Sequence, residues 1–227
     1  MPHPQGHDVT AGDDLLAGQV AYYRRRAGEY DVTAYGDLDA ARARITRVMA
    51  ALRPAGNVLE IACGTGLWTG ALAAAATAVT AIDAAPEAVD IARGRVTAAN
   101  VRFEVADVFS WQAAARFDTI FFAFWLSHVP ASRFERFWRQ LRGLITGNGR
   151  VLFVDEHIDV RGKEAYAAGS NEIIRRRLAD GSEHRLVKVF VRPGQLTARL
   201  HRLGWQSSIR RDGNDWVIGQ ARPGHRP

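Results

Sequence analysis

The chain of 227 residues contains little cysteine and has no long apolar run. Its single cysteine, Cys63, excludes an internal disulfide and is typical of a reducing compartment, so we expect a cytoplasmic protein. No segment approaches the ~18 consecutive apolar residues that a membrane helix needs. Residues 1–12 lack the basic-then-apolar order of an export signal. We therefore predict no membrane partner.

Lysine is also scarce, because Lys163 and Lys188 are the only lysines among 30 basic residues. The formal net charge of +6 would fit a nucleic-acid partner. However, the arginines are scattered among 24 acidic residues, and the Ala-rich, Arg-rich composition is typical of a GC-rich bacterial gene. We interpret the runs Arg24–Arg26 and Arg175–Arg177 as solvated helix faces, and we predict no nucleic-acid partner.

The length and the 47% hydrophobic content predict a single domain with a full core. We expect disordered tails at 1–12 and 222–227 around one domain at 13–221. Within it, residues 13–53 form an N-terminal helical lid and residues 160–192 form an insert on the substrate side. The pattern at 162–178 predicts a helix in this insert.

The most informative stretch is Asn57–Thr69, a short apolar strand that runs into a Gly-rich turn. Gly64 and Gly66 allow a tight turn and leave room for a ligand against the main chain. A helix follows, so the stretch is typical of the opening of a doubly wound sheet. The next strand, 78–82, ends at Asp83, where an acid can accept hydrogen bonds from ribose hydroxyls.

Two cofactor classes fit this pattern. The spacing of Gly64, Gly66 and Gly70 would suit an NAD(P) oxidoreductase. Glu60 lies four positions before Gly64, where a carboxylate would repel a pyrophosphate but would suit an ammonium group. Glu60 therefore favours a cofactor with an amino acid end and no phosphate.

At this motif the chain resembles the class I S-adenosylmethionine (SAM)-dependent methyltransferases, whose first motif reads acid-x-G-x-G-x-G. Glu60 matches the acid, Gly64 and Gly66 match two glycines, and Ala62 replaces the first glycine. The resemblance covers about residues 20–221. It implies an α/β, Rossmann-like doubly wound sheet with helices on both faces. That sheet is mostly parallel, with one antiparallel strand from a C-terminal hairpin formed by 205–210 and 215–221.

The resemblance also implies the cofactor, SAM, and its product, S-adenosylhomocysteine (SAH). An acid after the third strand (101–105) accepts a hydrogen bond from the adenine amino group in this family, although Asp107 would also serve as a turn cap. Tyr23 and Tyr30 of the lid are candidates to close over SAM. The alternative is that they are ordinary half-buried aromatic residues. The expected cofactor contacts are Glu60, Ala62, Gly64, Gly66, Trp68, Asp83, Ala84, Asp107, Val108 and Phe124, with Tyr23 and Tyr30 in the lid.

His128 is the leading candidate for a catalytic base. It follows the predicted fourth strand (117–125), at the sheet edge where ligands bind in such folds, and its ordinary pKa suits proton removal near neutral pH. The alternative is a structural histidine. The expected substrate contacts are Trp125, His128, His157, Tyr166 and Arg175, and an arginine in the pocket would indicate a carboxylate or phosphate on the acceptor.

The adjacent residues Asp155, Glu156 and His157 at the end of the predicted fifth strand (150–156) include side chains that can bind metal ions. Neighbouring residues of a strand point to opposite faces, so only Asp155 and His157 could share a metal. No third ligand follows from the spacing. We predict no metal.

The sequence therefore predicts an enzyme that moves the methyl group of SAM to an O or N atom of a small-molecule acceptor by in-line displacement. An RNA or protein methyltransferase is a second interpretation, but the chain lacks an Asn/Asp-Pro-Pro-aromatic segment after the fourth strand. A non-catalytic SAM-binding partner subunit is a third. Either a monomer or a homodimer is compatible with the sequence.

Overall fold

The computed structural model describes the backbone of residues 7–224 and the side chains of residues 12–224. The strands are β1 (Asn57–Ile61), β2 (Ala78–Asp83), β3 (Val101–Val105), β4 (Phe117–Ala123), β5 (Ile145–Glu156), β6 (Ile173–Arg177), β7 (Glu183–Val187), β8 (Trp205–Asp212) and β9 (Trp216–Pro223). The helices are α1 (His7–Arg26), α2 (Tyr30–Tyr35), α3 (Leu38–Leu52), α4 (Thr69–Ala73), α5 (Pro86–Arg95), α6 (Ala131–Leu144) and α7 (Pro193–Arg202). Short 3₁₀ turns occupy Ala27–Glu29, Leu126–His128 and Ile158–Lys163.

Seven strands form one sheet in the order β3-β2-β1-β4-β5-β9-β8. The first five are parallel, and β9 runs antiparallel to both β5 and β8. The strand order reverses between β1 and β4, which is where ligands bind in doubly wound sheets. The predicted fold class is confirmed, including its single antiparallel strand.

Both faces of the central strands are covered, which explains their nearly continuous apolar sequence. One face packs under α6, whose apolar stripe is fully or almost fully buried. The other face packs under α3 and α4. Helix α3 is capped at its start, because the Asp37 carboxylate accepts hydrogen bonds from the Asp39 and Ala40 nitrogens at 2.9 and 3.0 Å.

The predicted tails need correction at their inner ends. Helix α1 begins at His7, inside the segment 1–12 that was predicted to be disordered. Strand β9 continues to Pro223, because Gln206 and Trp205 of β8 pair with Arg222 and Pro223. Residues 1–6 and 225–227 lie outside the described part of the chain.

The helix predicted at 162–178 is wrong. A 3₁₀ turn ends at Lys163, and β6 and β7 form a separate two-stranded antiparallel sheet. The Asp180-Gly181 pair is a typical hairpin signal, and Gly181 has the positive φ, 83°, that such a turn requires. Strand β7 has the alternating sequence of a strand, and β6 is the neighbouring segment that supplies its hydrogen-bonding partner.

None of the helices within residues 7–224 is both long and apolar enough to span a bilayer.

Candidate active site

A cavity of about 340 Å³ lies at the carboxyl ends of β1, β2 and β4, beneath α1. This is the edge of the sheet at which the sequence placed the site. Eleven of the predicted site residues line the cavity: Tyr23, Tyr30, Ala62, Gly64, Asp83, Ala84, Asp107, Val108, Phe124, Trp125 and His128.

The loop after β1 contains three residues in the left-handed region: Ala62 (φ 55°), Gly64 (φ 53°) and Gly66 (φ 79°). Ala62 therefore stands at a position that glycine occupies without strain. Gly66 lies behind the loop, where an added Cβ would come within 2.9 Å of the Ala92 Cβ. Gly66 thus allows the loop to approach α5, and it does not line the cavity.

Asp83 is tied to the same loop. Its carboxylate accepts hydrogen bonds from the backbone nitrogens of Gly64 (2.9 Å) and Ala85 (2.8 Å). Burial raises the pKa of Asp83, and the backbone hydrogen bonds oppose that rise. One side chain therefore both shapes the loop and presents acceptor oxygens to the cavity.

Glu60 lies beneath the loop, outside the cavity wall, and is 2% exposed. Thr69 Oγ1 donates a 2.6 Å hydrogen bond to its carboxylate. Burial raises the pKa of Glu60 to about 8, so the carboxyl group is mostly protonated at neutral pH in the free protein.

Two further predicted cofactor contacts have clear structural partners. Trp68 is buried beneath the cavity, donates a 3.0 Å hydrogen bond to the Tyr35 hydroxyl, and does not line the wall. Asp107 lines the cavity and also caps the following turn by accepting from the Phe109 nitrogen at 2.9 Å. For Asp107 the two readings from the sequence are therefore compatible.

The lid formed by α1 and α2 is held to the sheet by polar contacts. Arg24 makes a bidentate ion pair with Glu87 of α5. Asp31 accepts a 2.6 Å hydrogen bond from Thr65 Oγ1 in the glycine loop and pairs with Arg95. The rings of Tyr23 and Tyr30 lie 6.2 Å apart in the cavity wall. The lid thus covers the glycine loop and closes the cavity from above.

His128 is 5% exposed, and both of its ring nitrogens have partners. Nδ1 lies 2.7 Å from the Val187 carbonyl oxygen, and Nε2 lies 2.8 Å from the Tyr23 hydroxyl. Because a carbonyl only accepts, Nδ1 carries the proton. Burial, and then the nearby charges of Lys188 and Arg176, hold the pKa of His128 well below its usual value. The ring is therefore neutral, with the Nε2 lone pair accepting from Tyr23.

Three cations lie near this pair: Arg26 and Lys188 are buried, and Arg176 is partly buried on β6. The interpretation of their arginine runs as solvated helix faces is therefore wrong for Arg26 and Arg176. Arg26 donates to Thr33 Oγ1, Arg176 pairs with Glu164, and Lys188 pairs with Glu156. Within the described residues, Arg26 has no carboxylate within salt-bridge distance, and it lies over the Tyr30 ring at 4.9 Å. Of these three cations, Arg26 is therefore the one whose charge no described carboxylate neutralises directly, and none of the three lines the cavity.

Three predicted substrate contacts lie outside the cavity. Tyr166 donates to the Lys188 carbonyl oxygen (3.3 Å), and His157 accepts from the Asp159 nitrogen (3.3 Å). Arg175 is exposed on β6, because alternate residues of a strand face opposite sides and Arg176 is the one that faces the lid.

Asp155, two residues before His157, has backbone hydrogen-bonding partners. Asp155 is fully buried and accepts hydrogen bonds from the Ser127 and Glu156 nitrogens at 2.9 and 2.7 Å. Among the described side chains, those of residues 12–224, no group of three or more His, Cys, Asp or Glu residues is arranged to hold a metal ion.

Sequence reasoning also missed residues that complete the wall. The cavity is additionally lined by Asp13, Gln19, Thr65, Phe109 and Arg133. The position of Thr65 between the two motif glycines could have indicated its place in the wall. The rarity of lysine in this chain could likewise have drawn attention to Lys188, which lies near His128 but not in the wall. Nothing in the sequence distinguishes Gln19 from other polar residues of α1.

The fold and the site define a class of protein, and comparison with known proteins identifies it. A family model described as a methyltransferase domain matches residues 58–149. The ubiquinone biosynthesis O-methyltransferase of Xanthomonas axonopodis pv. citri is 34% identical over 169 residues, which are 72% of this chain and 68% of that protein. The chain belongs to the class I SAM-dependent methyltransferases, and its cofactor is SAM. This membership argues against the NAD(P) oxidoreductase interpretation.

The fold of the chain is also similar to those of solved structures. A DhpI–SAH complex is 40% identical, with a TM-score of 0.82 over 93% of this chain and 98% of the other. A DhpI–SAM–HEP complex is 37% identical, also with a TM-score of 0.82, over 97% and 100% of the two chains. The 1,6-didemethyltoxoflavin-N1-methyltransferase of Burkholderia thailandensis, with bound substrate and SAH, is 18% identical with a TM-score of 0.66 and shares the fold.

Proposed function

We propose that this enzyme transfers the methyl group of SAM to an oxygen atom of a small acceptor that carries an anionic group, with His128 as general base. The observation that carries the proposal is the neutral, tautomerically fixed imidazole in the cavity wall. A base is required when the nucleophile carries a proton that must leave, as a hydroxyl does. The curated relatives are named O-methyltransferases, which supports oxygen as the acceptor atom.

The cofactor is assigned to the part of the cavity between the glycine loop and Asp107. Asp83 is proposed to accept from the ribose hydroxyls and Asp107 from the adenine amino group, with Ala84 and Val108 against the base. Glu60 is proposed to attract the ammonium group through the loop. This leaves the sulfonium methyl group on the side of Tyr23, Phe124 and His128.

Methyl transfer then needs only alignment and one proton acceptor. The acceptor hydroxyl takes the place of the Tyr23 hydroxyl at Nε2 of His128 and gives up its proton there. Its oxygen forms the new bond to the methyl carbon, and the carbon–sulfur bond breaks with its electron pair on sulfur. SAH and the methylated acceptor are the products, and the imidazolium releases its proton to solvent.

An arginine near His128 supports an anionic acceptor. Arg26 is buried near the tyrosine–histidine pair and, within the described residues, has no carboxylate within salt-bridge distance, and a cation in such a setting favours a carboxylate, phosphate or related group. The same charge opposes an ammonium-bearing acceptor. It therefore also favours O- over N-methylation.

The DhpI complex with SAM and HEP supports a small acceptor, because it is a 37% identical structure that contains a second small molecule with the cofactor. A small acceptor also fits a cavity of this size. The cytoplasmic location rests on the single cysteine and stays a prediction.

The decisive experiment is a screen of the purified protein with SAM against small metabolites, with SAH as the readout. Anionic hydroxyl compounds are expected to give turnover, and His128→Asn is expected to lower kcat at least 100-fold with unchanged SAM affinity. Because the pKa of His128 is lowered, turnover should stay constant as the pH falls from 7.5 through 6.5. SAM binding without transfer to any compound would instead indicate a partner subunit, and salt-dependent RNA binding a macromolecular substrate.

A further inference from the structure

Helix α1 contacts the candidate base twice, through residues one turn apart. Tyr23 donates to Nε2 of His128. Gln19, four positions earlier on the same face of α1, donates from Nε2 to the His128 carbonyl oxygen (3.3 Å). Gln19 also accepts, through Oε1, from the Val187 nitrogen (3.0 Å). Val187 in turn accepts from Nδ1 of His128.

These contacts close a ring of four residues from three elements: Gln19 and Tyr23 of α1, Val187 of β7, and His128 of the 3₁₀ turn after β4. Three members of the ring are buried, since Gln19 is 3% exposed, Val187 is 1% exposed and His128 is 5% exposed. In such surroundings a donor or acceptor that loses its partner is strongly unfavourable. The ring is therefore complete only while α1 is docked.

We propose that Gln19 is a positioning residue that couples the docking of the lid helix to the tautomer and orientation of His128. Gln19 holds the backbone of Val187 in place through its nitrogen. The Val187 carbonyl oxygen then keeps the imidazole proton on Nδ1, so that Nε2 is unprotonated and can act as the base. Opening of α1 removes Gln19 and Tyr23 together, so the base is assembled only when the site is covered. This inference rests on the proposed role of His128.

Because charged groups surround His128, the effect of Gln19 on this histidine can be measured as a change in its pKa. The charged or titratable side chains around His128 are Tyr23, Tyr30 and Arg26 from the lid, Arg176 from β6, and Lys188 with its partner Glu156. If Gln19 no longer holds α1 against the turn, water enters and the imidazole becomes easier to protonate. Its titration should then move up, toward the ordinary value near ~6.5.

The test is nitrogen NMR of the imidazole rings in the SAH-saturated protein, titrated with acid. The His128 signals are identified by their loss in His128→Gln. In the unchanged protein, we expect His128 to show one protonated nitrogen, Nδ1, and to resist protonation below pH 6.5. In Gln19→Met, which keeps length but loses both hydrogen bonds, we expect mixed tautomers and titration at higher pH.

Two further variants separate positioning from loss of structure. Gln19→Glu keeps the acceptor for Val187, so it should retain the Nδ1-protonated tautomer, while its added carboxylate raises the pKa of His128. Arg24→Gln removes a solvent-exposed ion pair between α1 and Glu87, which contributes little to the docking of α1, and should leave both the tautomer and the titration unchanged. These two variants decide the question even if Gln19→Met does not fold.

The proposal is overturned if Gln19→Met keeps the single tautomer and the original titration, if Arg24→Gln reproduces the effect of Gln19→Met, or if Gln19→Glu loses the tautomer. Failure of the proposed function looks different. In that case His128→Asn retains turnover, whatever the imidazole spectra show.

Discussion

Asp83 and Gly64 are joined by a hydrogen bond of 2.9 Å from the Gly64 backbone nitrogen to the Asp83 carboxylate. The bond connects the ends of two adjacent strands, so the acid proposed to bind ribose also holds the loop proposed to bind the methionine end. Loop shape and cofactor binding therefore depend on the same carboxylate.

Asp83→Ala is predicted to weaken SAM binding by roughly 100-fold, because hydrogen bonds to a charged group contribute about 1.5–3 kcal/mol. It should also lower the free energy of unfolding by about 1–3 kcal/mol, since the Gly64 and Ala85 nitrogens lose their acceptor. Calorimetry and urea unfolding measure the two effects. Asp90→Ala, at an exposed acid of α5, is the control and should change neither. Unchanged SAM affinity in Asp83→Ala would refute the assignment.

The carboxyl group of Glu60 is predicted to release a proton when SAM binds. Its pKa of about 8 means that most free protein carries a proton there at pH 7, and an arriving ammonium group favours the carboxylate. SAM binding at pH 7 should release about one proton, and SAM affinity should rise as the pH increases toward 8. The free protein should lose stability over the same range, because the folded state holds this proton more tightly than the unfolded chain.

Calorimetry in two buffers of different ionisation enthalpy counts the released protons. Glu60→Gln should bind SAM without release and without the rise in affinity. Equal proton release by Glu60→Gln and the unchanged protein would assign the effect to another group.

Substitutions at Ala62 and Gly66, two residues of the same loop, should change the free energy of unfolding by very different amounts. Ala62→Gly relieves a left-handed alanine but makes the unfolded chain more flexible, so the free energy of unfolding should change by less than about 1 kcal/mol. Gly66→Ala places a methyl group 2.9 Å from the Ala92 Cβ at φ 79°, and should cost about 2–4 kcal/mol. Urea unfolding measures both. A stable Gly66→Ala protein would show that α5 and the loop are less closely packed than described.

Arg176 and Arg175 form a matched pair for the anionic acceptor, because they are adjacent on β6 and face opposite sides. Arg176→Met should raise the KM for the acceptor identified by the screen by about 10- to 100-fold, with unchanged SAM affinity. Arg175→Met should leave both constants unchanged. Steady-state kinetics gives the comparison, and equal effects of the two substitutions would remove the argument for a specific anion contact.

The hairpin at β6–β7 shows where sequence reasoning failed and why. The arginine run and the apolar spacing of 162–178 matched a helix, yet the Asp180-Gly181 turn and the alternation of β7 required a strand beside them. A strand needs a partner for its backbone groups, and the nearest free segment was β6. The local pattern was ambiguous, and the hydrogen-bonding requirement of the neighbouring element decided it.

The sequence by itself indicated a doubly wound sheet and placed Gly64, Asp83 and His128 at one edge of it, and the family resemblance implied the antiparallel strand. It could do so because apolar runs, glycine turns and chain order are local or topological properties. Only the tertiary structure decided that Arg176 and Lys188 lie near His128, that Gln19 bridges His128 and Val187, and which nitrogen of His128 carries the proton. Those features depend on contacts between residues as many as 168 positions apart along the chain, and no local pattern encodes which side chains meet.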